Sequence, residues 1–282
     1  MIAVYIILGL CALVAGLFLF CIAPRRHRDT APFSYTMFAH RGLHTKDSDA
    51  PENSLAAFLR AKEAGFGVEF DIQFTADRQI VVFHDKDLSR MCGVDKRVDA
   101  LTYDELKSLT LQGGNEHIPL LTDVLGVLRN TPVVCEIKSY GANSDTTLCA
   151  AAAPILDQYK GPLCIESFNP FMVRWFREHR PHVIRGILST CYDDVKEVSR
   201  VQGLALGALL TNVLTRPDFI AYDYRYRHKM PFNLCRALFK PMTVAWTITD
   251  EVQEGSALRI FDTCIFEQYL PNFTHLVEEE KS

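Results

Sequence analysis

The stretch GVEFDIQFTADRQIVVFHD, residues 67–85, holds two β-rich runs, VEFDIQ and IVVFHD, with only the six residues Phe74 to Gln79 available to connect them. That gap is too short for a parallel crossover, so the pair reads as a hairpin with TADRQ as its turn. In the first run Glu69 and Asp71 stand two apart and therefore point to the same side. The second run ends on His84 and Asp85. Two acids on one strand face would, alone, describe a plain surface strand. The neighbouring strand ends argue otherwise.

Outward from this hairpin, further β-rich runs are TMFAH before it and PVVCEIK, PLCIES, VIRGIL, FIAYDY, TVAWTIT and TCIFE after it. Several are almost continuously apolar, as in sheets covered on both faces. Between them SLAAFLRAKEAG, TYDELKSL, LTDVLGVLRN, NPFMVRWFREH and QEGSALRI read as helices. The first has Asn53 or Ser54 as its cap and Gly65 just past its end. Such alternation predicts an α/β fold, and the number of units favours a closed (β/α)8 barrel over a doubly wound sheet. Nine candidate strands compete for the eight places, and the sequence leaves open which one stands outside.

Four strand ends carry polar residues: His40-Arg41, Glu69-x-Asp71, His84-Asp85 and Glu136-x-Lys138. In a barrel these ends meet at one mouth. Three carboxylates facing one axis would repel or stay protonated, and a hard divalent cation with oxygen ligands, Ca²⁺ or Mg²⁺, relieves them. Arg41 offers a fork of donors to phosphate oxygens and Lys138 a second positive charge. Two imidazoles that titrate near neutrality supply a base and an acid. The set suits cleavage of a phosphate ester.

The remaining chain sets the context. Its 282 residues, 48% hydrophobic content and formal charge of −4 suit one large domain and imply no nucleic-acid partner. Residues 1–23 carry no charged side chain and are followed by Arg25, Arg26 and Arg28. As a helix they would reach roughly 34 Å, enough to span a bilayer core of about 30 Å. A cleaved signal peptide is the rival reading, but there is no basic n-region, the run is too long and no small-x-small site follows it. The flank of positive charge predicts a single-pass protein of the cell membrane with its catalytic domain in the cytoplasm. The division expected is an anchor over 1–23, a basic flank and linker over 24–35, and a barrel over 36–282. Nine cysteines without a C-x-x-C predict no disulfide framework, and Cys135, Cys164 and Cys264 sit in strand-like runs as buried thiols would.

AHRG, PENS, GVEFDIQFTADRQIVVFHD, VVCEIK, SFNP and AWTIT, in this order, resemble the glycerophosphodiester phosphodiesterase family of metal-dependent, PLC-like TIM barrels, in a bacterial, membrane-anchored form. The resemblance implies hydrolysis of glycerophosphodiesters to sn-glycerol 3-phosphate and an alcohol. It implies His40 and His84 as the acid/base pair and Glu69, Asp71 and Glu136 as metal ligands. It also gives Arg41 and Lys138 the phosphate and makes Trp246 a wall of the alcohol pocket. Departures are Ser54 where the family often has Thr, and Glu267 where the last strand usually carries Asp. His44 reads as a solvated loop residue, Glu52 as a partner of Arg41 or a further ligand, and Asp85 as an orienter of His84 or a strand end. AYDYRYRHK, residues 221–229, reads as a solvated helix or loop near the mouth. The substrate is thus a small glycerophosphodiester or, given the anchor's contact with the bilayer, a lysolipid cleaved by a lysophospholipase D reaction. A barrel that only binds or scaffolds is the non-enzymatic alternative. The sequence carries no signature of oligomeric state.

Overall fold

A computed structural model describes residues 1–25, 30–34, 36–44, 49–140, 144–192 and 198–271. Its strands are β1 (Phe38–His40), β2 (Gly67–Phe74), β3 (Ile80–Val82), β4 (Asp87–Leu88), β5 (Val94–Arg97), β6 (Val133–Ile137), β7 (Leu163–Ser167), β8 (Ile184–Ser189), β9 (Phe219–Asp223), β10 (Met242–Ile248) and β11 (Thr263–Phe266). The order β1-β11-β10-β9-β8-β7-β6-β2 returns to β1 through a β1–β2 pairing, which closes an eight-stranded parallel TIM barrel. The ninth run, IVVFHD, is the one outside: β3 lies antiparallel on β2, with Ile72 opposite Val82. The five connecting residues, Thr75 to Gln79, leave the hairpin no alternative. After it, residues 87–118 form a small excursion with the β4–β5 ribbon and its own apolar cluster of Val81, Phe83, Leu88, Met91 and Val98.

Period-2 alternation divides each strand between two cores. Val68, Phe70 and Ile72 of β2 and Cys135 of β6 face the surrounding helices. Phe38, Val134, Cys164, Phe219 and Val244 fill the barrel interior, with Phe33 against them. Two glycines make the bulky interior residues fit. A Cβ on Gly67 would lie 2.6 Å from the Phe38 ring, and one on Gly186 2.2 Å from Phe219. Cys135, Cys164 and Cys264 are buried, and burial raises each thiol pKa, so none is an activated nucleophile.

The helices differ from the sequence reading in four places. Thr147–Leu156, Arg200–Gly207 and Met230–Phe239 are helical without a pattern that announces it, the first because Pro154 lies inside it and the last because Pro231 opens it. TYDELKSL is helical only over Tyr103–Leu106. Residues 221–229 divide in two: Arg225 to Lys229 form a largely solvated turn at the mouth, whereas residues 221–224 are buried. Tyr222 is buried in β9 and stacks on Phe232 with ring centroids 4.4 Å apart, because the segment begins as the end of that barrel strand.

The N-terminal helix, Ile2–Ile22, is long and apolar enough to cross a membrane. Most of its side chains are exposed, but its last turn is docked. Asn212 Nδ2 donates to Ile22 O at 2.8 Å and Arg216 Nη1 to Phe20 O and Ala23 O at 3.0 and 2.7 Å. Arg25 N donates to Pro217 O and Arg25 Nη1 to Pro181 O, each at 2.9 Å. These partners precede β8 and β9, so the helix joins the barrel at the end opposite the mouth. Arg26 to Arg28, part of the linker and the acidic stretch EEEKS lie outside the described residues.

Candidate active site

Inward positions near the C-terminal ends of β1, β2 and β6 carry the polar residues. The register pairs His40 with Glu69, Asp71 with Glu136, and Glu136 with Glu166 of β7. Glu69, Asp71 and Glu136 each offer an oxygen within 4.8 Å of the others, and all three are buried. Burial, then Asp71 and Glu136, holds the Glu69 carboxyl well above its usual range; burial also raises Glu136. Burial pushes Asp71 up as well, but Lys138, His84 and Arg41 outweigh it and its pKa lies well below the ordinary value. Lys138 Nζ reaches Asp71 Oδ1 at 2.7 Å and Glu136 Oε2 at 2.9 Å. Arg41 Nε lies 3.6 Å from Asp71 Oδ2. The all-oxygen donor set, short of positive charge, fits a hard cation.

Each histidine is backed by a carboxylate. His40 Nδ1 lies 2.7 Å from Glu267 Oε2, and His84 Nδ1 2.7 Å from Asp85 Oδ1. A carboxylate can only accept, so Nδ1 is the donor and Nε2 is left as the basic nitrogen. His40 Nε2 is 3.9 Å from Glu69 Oε2. Burial lowers the His40 pKa, against the raising effect of Glu267.

Behind the histidines runs a fixed ionic relay. Asp85 accepts from Arg90 Nε at 2.7 Å; Arg90 donates to both oxygens of Glu52 at 2.7 and 2.6 Å; Arg41 Nη1 donates to Glu52 at 2.7 Å. The two arginines hold the Glu52 carboxyl at about 2, against the upward push of burial. Glu52 is thus the partner of Arg41 rather than a ligand beside the three acids. The turn after β1 makes this possible: Arg41 and Gly42 have φ of 57° and 82°, and a Cβ on Gly42 would meet Ala57 at 2.8 Å.

The structure decides between the two cap candidates and departs from the sequence reading at Asn53, His44 and Glu166. Ser54, not Asn53, caps the Leu55–Glu63 helix, accepting from Ala57 N at 3.1 Å. Asn53, with φ of 57°, instead donates from Nδ2 to Asp71 Oδ2 at 2.9 Å and so fixes a carboxylate. His44 is not a solvated loop residue. The turn folds it back until its Nε2 lies 3.9 Å from Glu267 Oε2, with the ring largely covered. Glu166, 1% exposed, is a residue of the mouth that the sequence reading does not include. Burial, then Glu136 and Asp71, raises its pKa well above the ordinary range. The signal was present, since PLCIES ends an apolar strand on a polar pair just as VVCEIK does. Trp246 lies on β10, edge-on to Phe168 with ring centroids 5.4 Å apart, on the opposite wall of the mouth.

Residues 40–203, more than half of the chain, match the model of the glycerophosphoryl diester phosphodiesterase family. A glycerophosphodiester phosphodiesterase of Caldanaerobacter subterraneus subsp. tengcongensis is 31% identical over 168 residues, which is 55% of this chain and 67% of that protein. A human lysophospholipase D is 35% identical over 100 residues, 31% of this chain and 32% of the relative. The barrel superposes on an Oleispira antarctica phosphodiesterase, solved with the product sn-glycerol-3-phosphate, with a TM-score of 0.68 and 23% identity over 88% of this chain and 99% of that one.

Proposed function

The chain belongs to the glycerophosphoryl diester phosphodiesterase family, and from that premise we propose that it hydrolyses glycerophosphodiesters to sn-glycerol 3-phosphate and an alcohol. The observation that carries this reading is the pair of carboxylate-backed imidazoles, His40–Glu267 and His84–Asp85, beside three converging buried acids. A site that only bound phosphodiesters would have no use for two oriented proton carriers.

Glu69, Asp71 and Glu136 would hold a divalent cation, Ca²⁺ or Mg²⁺. When bound it supplies charge stabilisation for the phosphoryl oxygens as the bond to phosphorus changes. The other roles are the chain's own. Arg41, clamped by Glu52, presents the rest of its guanidinium to the phosphate. Lys138 offsets the charge of Asp71 and Glu136 and adds a cation beside the phosphate. One of His40 and His84 takes the proton of the attacking hydroxyl at Nε2, and the other gives one to the leaving alkoxide. Trp246 walls the alcohol. The Ile2–Ile22 helix crosses the bilayer once, with the basic flank and the barrel on the cytoplasmic side.

The test is release of glycerol 3-phosphate from glycerophosphocholine and glycerophosphoethanolamine by the detergent-solubilised full chain, with Ca²⁺, with Mg²⁺ and with chelator. Metal-dependent release is expected. No release with either ion from a folded protein overturns the reading.

A further inference from the structure

The N-terminal helix meets the barrel at its last turn, and barrel side chains take up the carbonyls there. Asn212 donates to Ile22 O, and Arg216 to Phe20 O and Ala23 O. The Arg216 guanidinium also lies over the Phe20 ring, 4.6 Å from its centroid, and Cys235 Sγ is 3.4 Å from Ile22 O. Residues 2–17, before that turn, are exposed. The 21 residues of the helix rise about 31 Å, close to the hydrocarbon core of about 30 Å. With the helix across a bilayer, the membrane surface lies at the docked turn. The elements that hold the turn then sit at headgroup level: Asn212–Thr215, the end of Met230–Phe239 and the stretch around Pro181 after Pro170–His179.

The surface at that level is basic. Arg177, exposed on Pro170–His179, donates from Nη1 to Val213 O and Leu214 O at 3.2 and 2.7 Å, which brings it beside Arg216. Burial, then Arg177, lowers the Arg216 pKa, so the two cations crowd each other. Arg236 and Lys240 lie at the end of Met230–Phe239, next to the Cys235 contact, and Arg236 Nε is buried without a hydrogen-bond partner among the described residues. Asn212–Thr215 and Met230–Phe239 contain no acid. The nearby carboxylates are engaged elsewhere: Glu178 with Arg174, Asp157 with Arg180, and Asp218 with Arg185 and Arg25.

Cations at helix C-termini are ordinary, because they offset the helix dipole. The dipole gives no reason for Arg177, Arg216, Arg236 and Lys240 to gather around one docking point without carboxylate partners, in a chain of formal charge −4. Two neighbours suit a lipid interface as well. Leu238 is 54% exposed one turn beyond Cys235, and Trp175, half-buried, stands two residues from Arg177 and stacks on His179.

We propose that the face carrying Arg177, Arg216, Arg236 and Lys240 seats on the anionic phospholipid headgroups of the bilayer that the chain's own helix spans. This rests on the bilayer-spanning reading of Ile2–Ile22 given above and adds to the anchor a second contact, made by the barrel itself. It also fixes where the mouth points. The face lies at the N-terminal ends of β8 and β9, whose six and five residues put roughly 20 Å between the headgroups and the strand ends that carry the site. The mouth therefore opens away from the membrane, and substrate reaches it through water.

Trp246→Phe leaves Trp175 as the sole tryptophan. The full chain in this form is placed in nanodiscs of brominated phosphatidylcholine, with or without brominated phosphatidylglycerol, at equal bromine content. Quenching of Trp175 should be about twofold stronger with phosphatidylglycerol at low salt, and should fall to the phosphatidylcholine level at about 1 M salt, where the Debye length is about 3 Å. Arg177→Gln combined with Lys240→Glu should remove the difference, and Lys96→Glu, on the β4–β5 ribbon, should leave it. Equal quenching by the two lipids, or a difference that persists at high salt, overturns the proposal. Extraction of the chain from membranes by alkaline carbonate would sink the spanning reading instead; the same comparison on vesicles of these lipids then still decides whether the basic face binds them.

Discussion

At the N-terminal ends of the strands Arg185 and Asp218, 2% and 4% exposed, lie 3.6 Å apart, and the arginine also donates to Thr215 O at 3.1 Å and Arg216 O at 2.8 Å. At the C-terminal ends Glu69, Asp71, Glu136 and Glu166 crowd together with Lys138 and Arg41 as the nearby cations. Both ends bury charge. At the lower end positive and negative balance, and backbone carbonyls take up the Arg185 Nε and Nη2 donors, so the charges serve to hold β8, β9 and Arg25 of the flank together. At the mouth the balance is left negative, and three of the acids are held above their normal range. A buried excess of one sign costs stability unless a ligand completes it, so binding chemistry belongs to that end.

The comparison breaks first, and by the largest effect, if the mouth tolerates loss of its proton carriers. His40→Ala or His84→Ala should lower kcat/KM by about 10²–10⁴-fold, with an unchanged melting temperature and unchanged metal uptake by equilibrium dialysis. Near-normal rates in either variant would remove the acid/base assignment. Glu69→Ala should lose metal uptake as well as rate.

Next in size is the opposite end. Asp218→Ala strands the Arg185 guanidinium in a buried site and should cost about 3–5 kcal/mol, read as a fall in the denaturant midpoint. Turnover per folded molecule should be unchanged, because the whole barrel height separates this pair from the mouth. A loss of kcat with no loss of stability would erase the distinction between the ends.

These two ends were not equally legible in the sequence. The mouth is written in local signals: polar residues interrupt apolar strands at AHRG, VEFD, VFHD and CEIK, and a parallel barrel turns strand ends into neighbours. The partners that orient them are distant in sequence. Glu267 meets His40 across 227 positions and Arg90 meets Glu52 across 38, so no spacing rule finds them. Asn53 competes with Ser54 as the cap in the sequence because a polar residue before a helix usually is one; its positive φ turns the side chain toward Asp71 instead. The lower end gave no signal. Arg185 stands in VIRGIL as one charge in an apolar run, and Asp218 follows a proline as many loop residues do.

A third effect sharpens the contrast within the mouth. Glu267→Gln keeps the size of the side chain that positions His40 but removes the charge that stabilises its protonated form. The expected loss in kcat is about 10–100-fold, the range for orienting partners of this kind, with KM for glycerophosphocholine nearly unchanged. A rise in KM with kcat intact would instead place Glu267 on the substrate.

The smallest effect concerns the relay that braces the mouth. Glu52 has a folded pKa of about 2, below its ordinary 4.5, because Arg90 and Arg41 stabilise its ionised form more than burial opposes it. A depressed carboxyl pKa contributes stability that is fully present above the unfolded value and is lost as pH falls through the folded one. The contribution should therefore be complete above about pH 4.5–5 and decline towards pH 2. Arg90 is 48% exposed, so solvent screening reduces the contribution to about 1–2 kcal/mol. Glu52→Gln should be less stable than wild type by that amount in urea unfolding at pH 6, and the gap should narrow at pH 4 and again at pH 3. A gap that stays constant with pH would show that Glu52 holds the two arginines by shape and hydrogen-bond count alone. The mouth would then be braced as the lower end is, by hydrogen bonds to fixed acceptors, and the difference between the ends would reduce to the carboxylates that face the barrel axis.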